Sequence, residues 1–176
     1  MKLGLHLTSN LKWKSNTYKM ISKANKRLWI LRRLKILGAQ RESLVDVYVK
    51  QIRSILEFGV PVWQGSITMY ERTDIERVQK MASKIILGRS YRSYDEALGT
   101  LNIENLEARR VKLCLNFALK AEKHPKFGKW FKEKNKTYNT RLKKTKYLEV
   151  HFNHNRYEKS PLGYLTRLLN MHYSKA

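Results

Sequence analysis

The sequence predicts an all-α fold: a helical bundle with a short N-terminal strand and a basic, partly irregular C-terminal tail. Three observations carry this. Apolar residues recur at helical spacing through most of residues 16–131. Helix punctuation falls between those stretches, at Gly38, Pro61, Gly88, Ser93 and Pro125. Strand-like alternation is confined to the first dozen residues, KLGLHLTSNLKW, which also hold a Thr-Ser-Asn turn.

Each element follows from its own residues. A lone hairpin is unstable in water, so the opening stretch reads as the edge of something larger. Ser15 or Asn16 can cap a first helix over about 16–37, which Gly38 ends. On a helical wheel Ile21, Ala24, Leu28 and Leu31 share one stripe, and Lys19, Lys23, Lys26 and Arg33 share the opposite one. A second helix over about 41–57 keeps Leu44, Tyr48, Ile52 and Ile55 on one side. FGVPVW stops it, because Pro61 lacks an amide hydrogen and disfavours helix at Val60. A third starts near Thr68 with Ile75, Val78, Ala82 and Ile85 inward, and Gly88 closes it. SYDEAL is a capping box, Ser93 with Glu96, opening a short helix. Residues 105–123 form a long amphipathic helix with Leu106, Leu113, Phe117 and Ala121 inward, ended by His124-Pro125, and KFGKWF can add one more turn. Residues 132–160 are basic, polar and aromatic. Ser160 and Pro161 then open a last short helix at about 161–170.

Charge narrows the function classes. The 176 residues carry 37 Lys and Arg against 14 Asp and Glu, a formal +23. Such an excess opposes compaction and attracts polyanions, as in nucleic-acid binders. It is uneven: +10 over residues 1–58, +3 over 59–123, then +3 over 124–132 and +7 over 133–176. Cys114, between Leu113 and Leu115, is the single cysteine, so an internal disulfide and a cysteine zinc cluster are excluded, and the residue reads as a buried thiol in a reducing compartment. No apolar run reaches the roughly 18 residues of a membrane span. His151 and His154 lack the further ligands a metal site needs. Residues 1–41 hold eleven Lys and Arg and no acid, which is also the chemistry of a transit peptide.

Six stretches in this order, LGLHLTSNLKW, KANKRLWILRRLK, YVKQIRSILEFGVPVW, IERVQKMASKIILG, YDEALGTLNIENLEARRVKLCLNFALK and SPLGYLTRLLN, together resemble the C-terminal part of the reverse transcriptases of non-LTR, LINE-like or jockey-like retrotransposons. The resemblance implies a palm-edge strand remnant at 1–15, a thumb-like helical domain at 16–131 and a basic tail at 132–176. It implies that the thumb holds a template–primer hybrid, so the expected partners are the backbones of RNA, DNA or their hybrid, and the polymerase palm. No membrane partner is expected, and the compartment is cytoplasmic or nuclear. The family's polymerase works through Mg held by an adjacent Asp pair. No Asp-Asp occurs here, and the adjacent acids Asp95-Glu96 read as a helix cap. The chain is therefore expected to be a fragment of an RNA-directed DNA polymerase, with no catalysis and no cofactor of its own.

The expected contacts to nucleic acid are Lys19, Lys23, Lys26, Arg27, Arg32 and Arg33, with Trp29 either stacking on a base or sealing a neighbouring helix. In the tail Arg141, Lys143, Lys144 and Lys146, beside Tyr147, form a second basic patch suited to RNA. Two other classes remain: a domesticated helical interaction module docking a partner through the balanced 59–123, and a basic mitochondrial or ribosome-associated protein.

Overall fold

A computed structural model describes residues 4–9, 12–134, 145–149 and 158–174. It is all-α, and among these residues no strand forms; the single backbone bridge between described partners joins Glu133 to Tyr147. The strand expected over 1–15 is not seen in its described part. There, the His6 amide donates to Asn16 Oδ1 (3.1 Å) and the Thr8 hydroxyl bonds the backbone of Lys12.

The chain divides into two units, one of residues 1–59 and 67–109, the other of residues 60–66 and 110–176. The division runs inside residues 16–131, the stretch that the resemblance implies to be one thumb-like domain.

The first unit is built on α1 (Lys14–Ile36), which packs chiefly on α5 (Met69–Leu87). Met20, Ala24, Leu28 and Leu31 are its buried apolar face, while Ile21 is only half-buried. Asn16 is not a cap: it lies inside the helix, occupied by the His6 amide, and Trp13 stands at the N-terminus. The C-terminus is as the sequence indicates. Gly38 adopts φ 82°, its N–H reaches Lys35 C=O (3.1 Å) and the Ala39 N–H reaches Leu34 C=O (3.0 Å). That is the paired-bond ending only a residue tolerant of positive φ allows.

The second expected helix is three pieces in sequence: α2 (Arg41–Val47), a π-helical stretch (Tyr48–Arg53) and α3 (Ser54–Leu56). The wider π turn moves the buried face. Leu44, Tyr48, Ile52 and Leu56, each four apart, are buried, and Ile55 is displaced from the position that an uninterrupted helix would give it. In α5, Thr68 and Glu71 form a reciprocal capping box. Its buried face ends on Ile86 and Leu87, and the expected Ile85 is half-buried. Ser83 bonds back to the Gln79 carbonyl (3.0 Å), and Gly88 closes the helix at φ 57°. In α6 (Tyr94–Leu101) Ser93 Oγ accepts the Glu96 amide (3.2 Å), which is the Ser93 half of the expected capping box and caps the helix.

One polar chain crosses this unit. The Tyr48 hydroxyl donates to Gln79 Oε1, and Gln79 Nε2 donates to the Tyr94 hydroxyl and the Glu104 carbonyl (both 2.9 Å). The Tyr94 hydroxyl donates in turn to Glu76, which also accepts the Leu106 amide (3.1 Å). Burial pushes the Tyr48 and Tyr94 hydroxyls well above the usual phenol range, so both remain donors.

The preceding helix does stop ahead of FGVPVW, at Leu56, but in the second unit α4 (Val60–Trp63) is a short helical turn that includes Val60, where Pro61 was expected to disfavour helix. Proline is tolerated there because first-turn amides have no partner within the helix. This turn packs on α8 (Pro161–Tyr173), whose N-cap is Ser160. Helix α7 (Leu106–Lys123) opens in the first unit, where Asn105 Oδ1 accepts the Glu107 and Ala108 amides (2.8 and 3.2 Å), and continues into the second. Its buried row is Leu106, Arg110, Cys114, Ala118 and Ala121; Leu113 is half-buried and Phe117 exposed. Leu106 and Ala121 are inward as the periodicity indicates, but Leu113 and Phe117 are not, because the row runs through an arginine. Arg110 is fully buried, and its Nε donates to Gln64 Oε1 (3.0 Å). Burial pushes the Cys114 thiol up to about 12 despite Arg110 beside it, which suits a packing residue and not a nucleophile.

Candidate nucleic-acid interface

Helix α1 has no acidic residue in its 23 positions. Ordinary helix geometry puts Lys19, Lys23, Lys26 and Arg33 on its solvent side over about 21 Å of axis. All four side chains are exposed, and none forms an ion pair among the described residues. Lys19 Nζ meets His6 Nδ1 (3.1 Å), which fixes the ammonium at the N-terminal end of the row. The stripe is therefore a run of positive charge with no counter-charge among the described residues, carried on a helix whose opposite face is buried.

The flanking residues divide. Arg32 is exposed. Arg27 is half-buried and its guanidinium donates to the Gln51 side chain, so it braces α1 against the π-helical stretch. Trp29 is 61% exposed and seals no neighbouring helix. The Arg33 guanidinium lies 5.9 Å from its ring centroid, which leaves a cation and an aromatic face side by side at the surface. Lys35 turns inward instead, donating to the Ile86 carbonyl (2.9 Å) in the last turn of α5, where a cation suits the helix dipole.

Beside the stripe lies a groove of about 500 Å³. Its floor includes Leu5, Met20, Ile55 and Phe58, and Lys19 and Lys23 stand at it.

The tail residues fare differently. Arg141, Lys143 and Lys144 lie outside the described residues, as do His151 and His154. Lys146 is engaged. Its ammonium pairs with Glu122 (2.7 Å) and lies 4.3 Å from the Tyr173 ring centroid and 5.1 Å from that of Tyr147. Glu122 also accepts the Tyr147 and Tyr173 hydroxyls. Burial raises this carboxyl, but the hydrogen bonds from Lys146, Tyr147 and Tyr173 outweigh it and hold the group below the usual carboxylate range. Lys146 thus ties residues 145–149 to α7 and α8, helped by paired bonds between Asn170 and the Tyr147 backbone (2.8 and 3.0 Å).

The chain matches no family model, no curated protein and no solved structure. Function rests on the residues alone. Asp95 and Glu96 occupy the first turn of α6 behind the Ser93 cap, and no group of three or more His, Cys, Asp or Glu among the described residues could hold a metal ion. The described residues do not fit a two-ion carboxylate centre. No described helix is long and apolar enough to cross a membrane.

Sequence reasoning missed one feature. KHPKFGKWFK, residues 123–132, repeats a lysine every third residue, with a ring after each of the first three. The chain folds it so that the His124 and Phe127 rings stack (centroids 4.4 Å apart, planes at 25°) and Trp130 joins Phe127 (4.8 Å, 47°). The period of three was the available signal, and it matches the 3₁₀ turn at Gly128–Trp130.

Proposed function

We propose that this chain is the thumb-like C-terminal part of a non-LTR retrotransposon reverse transcriptase, and that its own capacity is to bind a template–primer or RNA backbone without sequence preference and without catalysis. The observation that carries this reading is the acid-free α1, whose Lys19, Lys23, Lys26 and Arg33 are exposed and unneutralised by any described carboxylate. Phosphate binding releases condensed counterions, so cations that no carboxylate neutralises are free to contribute to it. The Trp29–Arg33 pair extends the same surface, while Arg32 is exposed further round the helix. The ordered family-like stretches support the polymerase origin, and the compartment is then cytoplasm or nucleus.

The test is binding of the full chain to an RNA–DNA hybrid across a salt series, beside a variant with Lys19, Lys23, Lys26 and Arg33 changed to Gln. Each phosphate contact contributes about 0.9 to the log–log slope on duplex DNA, so the variant should lose about three to four units of slope. A second variant, with exposed Lys80, Lys84, Arg89 and Arg92 changed to Gln, should keep most of it. Equal slopes for the wild type and the α1 variant, or equal losses in both variants, would show that α1 is no phosphate track.

A further inference from the structure

We propose that Lys123–Lys132, in the second unit, is a platform for single-stranded nucleic acid, on which unpaired bases stack against the His124, Phe127 and Trp130 rings while flanking lysines hold the phosphates. It lies on a different unit from α1 and extends the reading above from backbone binding to base stacking.

Four observations carry it. The rings are presented to solvent: Phe127 is 39% and Trp130 50% exposed, and His124 is exposed too. They are already piled at contact distance, so a base adds to the outer face of the pile rather than entering between its members. The pile is fixed. Phe131 is buried with its ring 5.8 Å from that of Tyr147, and the Gly128 amide bonds the His124 carbonyl (2.8 Å). The Lys126 amide donates to His124 Nδ1 (3.2 Å) and orients that ring. The charge is of one sign and unneutralised: Lys123, Lys126, Lys129 and Lys132 are all exposed and form no described ion pair. The Glu122 carboxylate is spent on Lys146, Tyr147 and Tyr173, which leaves Glu133, beyond the last lysine, as the exposed acid.

Alternating cations and exposed rings on a rigid turn are the chemistry that tracks a single strand without reading its sequence. A membrane surface fits less well. Interfacial binding is typically the work of an amphipathic helix that lays one continuous apolar face into the acyl boundary, whereas residues 124–132 form a turn and a single 3₁₀ turn with lysines between the rings.

The experiment is fluorescence anisotropy of the full chain with a short labelled oligothymidine and with an abasic oligomer of the same phosphate count. The wild type should prefer the oligothymidine by about tenfold or more, the effect of a stacked base. Phe127→Ala with Trp130→Ala should abolish that preference and leave abasic binding in place. Trp130→Leu, which keeps apolar cover but has no π-face, should weaken it. Phe127→Tyr with Trp130→Phe should retain it. The α1 glutamine variant should keep the base preference while losing salt slope, so failure of one site is read separately from failure of the other. The proposal is overturned if the wild type binds both oligomers equally, or if the preference survives loss of both rings. It is overturned equally if the rings matter only for binding to phosphatidylserine vesicles.

Discussion

Changing Gln79 to Leu tests whether the buried polar chain of the first unit holds α5 against the π-helical stretch, and so positions the helix on which α1 rests. Gln79 is fully buried and makes three side-chain bonds: it accepts from Tyr48 and donates to Tyr94 and to the Glu104 carbonyl. These losses are unequal. Glu104 is exposed, so water can replace the bond to its carbonyl, and Tyr94 still donates to Glu76. Tyr48 is fully buried and would be left with a hydroxyl that nothing accepts, at a cost of about 1–3 kcal/mol. Adding about 1 kcal/mol for the remaining bonds gives about 2–4 kcal/mol for Gln79→Leu. Tyr48→Phe alone should cost about 1–2 kcal/mol, because it strips a buried amide oxygen of its donor. In the double variant the orphaned hydroxyl is gone, so the two costs should fall short of additivity by about 1 kcal/mol or more. Urea unfolding of the four proteins measures this. A Gln79→Leu cost below about 0.5 kcal/mol, or strictly additive costs, would refute the network as a structural tie.

Other predictions concern the second unit. The Glu122 side chain is 13% exposed, and its carboxyl is held below its ordinary value. Its stabilisation is therefore present above the unfolded carboxylate pKa of about 4.3, and is lost as pH falls through the lower folded value. Glu122→Gln should be less stable at neutral pH, and its thermal midpoint should fall less on acidification than that of the wild type. A Cβ at Gly128 would lie 2.5 Å from the Glu122 carbonyl oxygen. Gly128→Ala should thus cost about 1–3 kcal/mol in denaturant unfolding and reduce the base preference proposed for the ring platform. Gly38→Ala should cost about 1–2 kcal/mol for a different reason, since nothing crowds the site and the penalty is that of φ 82°.

Much of the architecture was legible because its signals are local. The Gly38 ending, the Ser93 and Ser160 caps and the Gly88 stop each depend on a few neighbouring residues, and each appears where the sequence puts it. The basic stripe of α1 was legible for the same reason: the period of one helix separates Lys19, Lys23, Lys26 and Arg33 from Ala24, Leu28 and Leu31 whatever surrounds it.

Tertiary structure decided which candidates are available and which faces are buried. An inserted π turn replaced Ile55 by Leu56 in the core, and no wheel drawn at fixed pitch registers such a turn. Burial of Arg110 opposite Gln64 set the row along α7 and left Phe117 outside, against the hydrophobic order of the residues. Lys146 reads as a member of a basic patch until Glu122, 24 residues earlier, is brought to its ammonium. Trp29 reads more readily as a seal for a neighbouring helix than as a surface ring until its neighbours are in place, and then it stands exposed beside Arg33. Charge and periodicity are properties of the chain itself. Whether a charge is neutralised, or a ring covered, depends on residues distant in sequence, and only the fold brings those together.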